Sequence, residues 1–291
     1  MNINKLGEFG LIDQLKRFCP TGKNVIKSIG DDTAILAYTK DKYQLFTTDM
    51  MAEGVHFTKR MPAKAIGHKA LACNISDIAA MGGLPTMAVV SIGLPPQTPL
   101  AWIKDVYQGI GNVARRFGVG VVGGDTIKSN KAIINIALLG EVYKKDVVTR
   151  SGAKAGDSVF VTGKLGGSFK SNRHLTFTPR VEQAQFLVKH VKPSAMIDIS
   201  DGLAQDLNHM LKLSKVGVRL EEAMIPCHHG VTLKQALSDG EDYELLFTLN
   251  PKKTAWLMQW QTRNHRWFFY PIGTIITDQR KCLNEQGFKH F

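Results

Sequence analysis

The chain has 291 residues, 44% of them apolar, and carries 37 Lys and Arg against 25 Asp and Glu for a formal charge of +12. This is enough apolar material for a globular protein of two ordinary domains, and no apolar run approaches the roughly 20 residues that cross a bilayer. The start of the chain lacks a leader-like apolar core and the four cysteines (Cys19, Cys73, Cys227, Cys282) form no CxxC pair, so a cytoplasmic protein with reduced thiols and no zinc knuckle is expected.

In chain order, Pro20-Thr21-Gly22 marks a turn, and a strand is predicted over 43–48. Helical periodicity covers 63–81 and is stopped by Gly82-Gly83. A strand over 87–94, a Pro95-Pro96 connection, a helix over 100–117 and strands over 119–122 and 132–142 follow. The polar, glycine-bearing stretch 150–157 places a domain boundary between Tyr143 and Asp157, giving units of 1–143 and 144–291. The second unit is expected to hold strands at 158–162, into Asp198, at 243–249 and at 267–276, with a helix over 202–213. Strands and helices are mixed throughout, an α/β or α+β pattern.

The informative residues are aspartates beside Gly, Ser or Thr where apolar runs stop: Asp31-Asp32, Asp49, Asp77, Asp125, Asp198 and Asp201. Short carboxylates held at element ends supply the oxygen that gathers Mg²⁺ around phosphates. Asp77 is the sharpest case, because a carboxylate near a helix C-terminus opposes the dipole and calls for a compensating cation. Asn74, Asp77 and Met81 share its face by their three- and four-residue spacing. In GDDT the two acids point opposite ways if extended, and alternation puts Thr47 and Asp49 on one face of their strand. Gly123-Gly124-Asp125-Thr126 reads either as a close backbone approach to phosphate or as a sterically required tight turn. In Asp198-Ile199-Ser200-Asp201, a helix N-cap role for Ser200 or Asp201 is the alternative to metal and anion binding. Glu241 opens a strand in GEDYELLF, with a capped turn and a core Tyr243 as its rival reading; His56 and Arg150 are candidate phosphate contacts, with structural donor and rim ion pair as theirs.

Motifs for P-loop, dinucleotide-binding, protein kinase, zinc protease and serine hydrolase sites are absent. Lys and Arg are scattered rather than massed with aromatics, so no nucleic acid partner is expected and the charge is read as a general attraction for anions such as nucleotides.

In order, GEFGLID (Gly7 to Asp13), GDDTAIL, TTDMMAEGVHF, NISDIAAMGGLP, GGDT, TRSGAKAGD, DISDGL, GEDYELLF and the terminal GFKHF resemble the thiamine-monophosphate kinase family over nearly the whole chain. The resemblance implies a two-domain aminoimidazole ribonucleotide synthetase-like fold and a homodimer joined through N-terminal sheets. It implies transfer of phosphate from ATP to thiamine monophosphate with several Mg²⁺, the final step to thiamine diphosphate. By matching position it makes Asp32, Thr47, Thr48, Asp49, Asp77, Asp125, Asp198 and Asp201 metal ligands. Among these, Asp77, Asp125 and Asp201 stand closest to the chemistry. Gly124, Asp125, Arg150, Ser200 and Tyr107 would meet ATP, and His56, Glu241 and Phe288 the thiamine side; Phe288 offers a stacking face where that family often has tyrosine. Other ATP-using enzymes of the same fold, or a basic nucleotide-binding protein without turnover, are the alternatives.

Overall fold

Each half of the chain contributes one sheet. The computed structural model describes residues 7–279; Cys282, GFKHF and Phe288 lie outside the described residues. After helix α1 (Gly7–Leu15), the first half builds strands β1 (Val25–Lys27), β2 (Ala34–Ala37) and β3 (Lys42–Ala52), then α2 (Ala63–Ala80) and β4 (Leu84–Leu94). Helix α3 (Leu100–Phe117), β5 (Gly120–Lys128) and β6 (Ile133–Tyr143) complete it. The strand order is β1-β2-β3-β6-β4-β5. Among the described strands only β4 and β5 pair in parallel, since α3 provides the crossover that a parallel connection needs.

Residues 144–157 contain no helix or strand. The second half then gives β7 (Ser158–Val161), α4 (Val181–His190), β8 (Ala195–Asp198), α5 (Leu203–Ser214), β9 (Gly217–Leu220) and α6 (Leu233–Ser238). It ends with β10 (Leu245–Leu249), α7 (Pro251–Arg263) and β11 (Tyr270–Ile276), in an antiparallel sheet ordered β8-β10-β7-β11-β9. Alternation along β10 decides what each face covers: Leu245, Phe247 and Leu249 join a core shared with α2, α4 and α7, whereas Leu246 packs with Leu203, Leu207 and Met210 of α5.

Helix α2 is the hinge of the packing. Its sequence, AKAIGHKALACNISDIAA, has no polar face, and a helix apolar all round must be buried. It contacts β3, β6 and β4 of the first sheet, β8 of the second, and α3 and α4. Lys69, Asn74 and Ser76 are nevertheless fully buried along it, so each needs a partner in the packing.

Strands β3, β4 and β5 run further than periodicity predicts, β4 by starting at Leu84. β3 continues to Ala52, which sets Asp49 within the strand rather than at its end, because its register with β6 persists to Ile133. β5 runs straight through Gly123-Gly124-Asp125-Thr126, which is not a tight turn. A Cβ at Gly124 would lie 1.8 Å from the Val90 carbonyl, so the glycine is required by strand-to-strand approach. Periodicity does not reveal helices α1, α4, α6 and α7; α7 carries its signal in Asn250, whose side chain caps Lys253 N–H, with Pro251 at the first turn.

Candidate active site

A cleft of about 700 Å³ opens between the two sheets, lined by Asp31, Asp32, Thr47, Asp49, Asp77, Arg150, Asp198, Ser200 and Asp201, with His56, Lys69 and Glu241 at one side. The acids arrive from separate elements. Asp32 comes from the loop before β2, Asp49 from the inner face of β3, Asp77 from the last turn of α2 and Asp198 from the end of β8. Carboxylate oxygens of Asp32, Asp77 and Asp198 lie within 4.8 Å of one another.

Their hydrogen bonds fix the cluster without neutralising it. Thr47 Oγ1 donates to Asp77 Oδ2 at 2.6 Å, and Ser76 Oγ to Asp198 Oδ2 at 2.6 Å. Asp49 N–H is held by Asn74 Oδ1 at 3.1 Å, so the helical face predicted for Asn74 and Asp77 does meet β3. Arg150 Nη2 donates to Asp32 Oδ1 at 2.8 Å, while Asp32 Oδ2 is buried with no hydrogen-bond partner among the described residues. Asp31 and Asp32 lie in a bend before β2 rather than in extended chain, and Asp31 accepts from the Arg150 backbone N–H and pairs with Lys27.

Burial pushes the Asp32 carboxyl up to about 7 despite the pull of Arg150, and those of Asp49 and Asp198 up to about 6. Asp77 is driven well above the ordinary carboxylate range by burial and then by Asp49, Asp198 and Asp32. An orphaned carboxylate oxygen amid mutually repelling acids, all of hard oxygen type, fits Mg²⁺ rather than a soft metal.

The backbone around Ser200 is equally constrained. Neither Ser200 nor Asp201 caps α5; Asp206, one turn inside the helix, reaches back to accept from Asp201 and Gly202 N–H at 3.1 Å each. Both residues thus stay with the cleft, and Asp201 also accepts from Gln205 Nε2 at 2.7 Å. The GEDYELLF segment divides its labour. Glu241 faces the cleft, Tyr243 is buried against Phe177 with ring centroids 4.1 Å apart, and Asp242 and Glu244 form ion pairs with Arg173 and Arg180. His56 Nδ1 accepts from Ala52 N–H at 3.1 Å, which leaves the ring proton on Nε2.

Not every expected residue reaches this cleft. Thr48 lies on the opposite face of β3 from Thr47, where its hydroxyl bonds Asn135 and the Ile136 carbonyl, although its residue borders the opening. Gly124 shares a row with Asp49 through Ile136 and Val90, three strands away, which is roughly 14 Å at the usual strand spacing. Asp125 is exposed and in register with Ser91, on the outer face of the sheet, and Tyr107 stands on α3 outside the cleft. Lys69, Ser76 and Asp206 belong to the site's framework and were missed. Lys69 did leave a trace, since Lys69, Cys73 and Asp77 follow at four-residue steps along a mostly apolar helix.

A family model described as AIR synthase related protein, N-terminal domain, matches residues 30–142. The first sheet and the helices packed on it therefore belong to an AIR synthase-related N-terminal domain. A thiamine-monophosphate kinase of Aquifex aeolicus is 36% identical over 282 residues, covering 87% of this chain and 89% of that protein. One of Bacillus subtilis is 33% identical, covering 98% and 100%. The structure of AaThiL complexed with AMPPCP and TMP superposes with a TM-score of 0.87 at 34% identity, covering 100% of this chain and 99% of that one. The chain belongs to the thiamine-monophosphate kinase family.

Proposed function

We infer that the protein transfers a phosphoryl group from ATP to thiamine monophosphate, forming thiamine diphosphate and ADP. The observation that carries this is the cluster of Asp32, Asp77 and Asp198 around one point in the cleft of a family member whose relative accommodates AMPPCP and TMP together. An acceptor phosphate oxygen attacks the γ-phosphorus and the bond to the bridging oxygen breaks. No strong general base is needed, because that acceptor is largely ionised near neutrality (second pKa about 6). What the reaction does need is relief of phosphate–phosphate repulsion, so the work is positioning and electrostatics.

Asp32, Asp49, Asp77, Asp198 and Asp201, with the Thr47 hydroxyl, are the residues that would hold Mg²⁺. When bound, the ions screen the two phosphates and stabilise charge on the transferring group. Arg150 and Ser200 serve the ATP side, and His56 and Glu241 the acceptor side. Incubation with ATP, Mg²⁺ and thiamine monophosphate should yield thiamine diphosphate by chromatography; a folded protein giving no product overturns the reading.

The protein acts as a homodimer, and Asp125, Gly124 and Tyr107 complete the site of a second copy. This is supported by the outer face of the first sheet, where Phe46, Met50, Met87, Val89 and Ile127 are exposed together, an apolar patch larger than scattered surface residues account for. The residues 1–143 form the unit that carries this face, and 144–291 the unit that closes the cleft. Val89→Glu is expected to convert the dimer to monomer in light scattering and to lower turnover with it. A wild-type protein that stays monomeric at micromolar concentration refutes the dimer.

A further inference from the structure

Lys69 is only 1% exposed, yet it sits on α2 two turns before Asp77 and borders the cleft. Its ammonium lies 2.5 and 2.6 Å from the two carboxylate oxygens of Glu241 and 3.4 Å from the His56 carbonyl, so its three N–H donors are all engaged. It thereby joins three parts of the molecule: the central helix, the loop after β3 and the loop before β10.

The loop bearing Glu241 is held in an unfavourable shape. Glu241 and Tyr243 have φ of 55° and 50°, left-handed values uncommon for residues with a side chain. Glu241 N–H bonds the Ser200 carbonyl at 2.6 Å and Tyr243 N–H that of Ile199 at 2.8 Å. The Tyr243 hydroxyl meets Cys73 on the next turn of α2 at 3.1 Å. Gly240 allows this approach, for a Cβ there would lie 2.8 Å from the Ser200 carbonyl.

Burying the Lys69 ammonium costs several kcal/mol of solvation, to which the mostly covered Glu241 carboxylate, with 14% of its side chain open to the cleft, adds, and an apolar pair of the same volume often serves stability as well or better. Stability therefore does not explain a buried pair in a strained loop. We propose that Lys69 is a positioning residue for the acceptor substrate, fixing the Glu241 carboxylate and the His56 loop relative to each other across the cleft. The inference rests on the reading of His56 and Glu241 as acceptor-side residues. Lys69 makes no hydrogen bond to Asp32, Arg150 or Ser200; its structural link to the ATP side runs through Glu241, whose backbone N–H, rather than the carboxylate that Lys69 holds, bonds the Ser200 carbonyl.

Steady-state kinetics of Lys69→Met, Glu241→Gln and Lys69→Met/Glu241→Gln test this. Lys69→Met should raise the KM for thiamine monophosphate about tenfold while leaving that for ATP within about twofold. The double variant, which removes both charges of the pair, should come within about threefold of Glu241→Gln alone, because Lys69 acts mainly through that carboxylate, its bond to the His56 carbonyl being long at 3.4 Å. Equal rises in both KM values, or a double variant about tenfold worse than Glu241→Gln, overturn the proposal. If Lys69→Met does not fold, the neutral double variant still decides by the same comparison. Turnover by the wild type with no effect of Glu241→Gln on KM would refute the acceptor-side reading itself; an effect of Glu241→Gln with none of Lys69→Met refutes Lys69 alone.

Discussion

Asp77→Asn is expected to reduce turnover at least about a thousandfold, the scale of losing a group that stabilises transition-state charge, while the metal-free protein melts at or above the wild-type temperature. The two outcomes share a cause. Asp77 stands at the negative end of α2, and burial together with Asp49, Asp198 and Asp32 resists its ionisation. Asparagine keeps the shape and an oxygen to accept from Thr47 Oγ1, but removes the charge that the neighbours oppose. The gain in melting temperature that Mg²⁺ gives the wild type should shrink in the variant. Chromatographic rates and thermal melts with EDTA or Mg²⁺ check this; near-normal turnover would make Asp77 a structural residue.

The second large effect is in pH. A carboxyl that keeps its proton to higher pH in the fold than in the unfolded chain stabilises the fold at low pH, and that contribution disappears as pH rises through the folded value. Asp49 and Asp198 titrate at about 6 and Asp32 at about 7, all raised. In EDTA the protein should therefore lose stability from about pH 4, where the unfolded carboxyls ionise, to about pH 7, the highest of these folded values. Each tenfold change in proton affinity is worth about 1.4 kcal/mol. Several coupled sites thus give a total on the order of several kcal/mol. Cations favour the ionised cluster, so the Mg²⁺-induced rise in melting temperature should grow over the same range. Melts across pH, with and without Mg²⁺, measure both; a Mg²⁺ effect that does not vary with pH would contradict the coupling.

Much of this was legible in the sequence, for reasons that differ by element. Helix α3 matches its predicted bounds because its apolar face is one-sided, and Thr47 and Asp49 share a face because strand alternation leaves no other choice. Local patterns failed where long-range pairing decides. Nothing within GGDT says that its strand continues, since continuation depends on β4 lying alongside. Asp206 was overlooked because its cap runs backward from inside α5 to Asp201 and Gly202. Family resemblance named Asp125 and Tyr107, but only the fold shows that neither enters the cleft of its own chain. Lys69 was the most legible omission: a cation midway along a largely apolar helix has to be answered somewhere, and Glu241 lies 172 residues further along the chain.

Helix α2 has a consequence for what this chain can become. Its polar side chains find partners on both halves: Asn74 and Asp77 on β3, Ser76 on Asp198 and Lys69 on Glu241. A fragment ending near residue 143 would expose a helix that is apolar all round and leave a buried cation without its counter-ion. Neither sheet can thus be exchanged as a ready-made module between relatives of this fold. The two halves must change together, with α2 as the seam along which each substitution is matched.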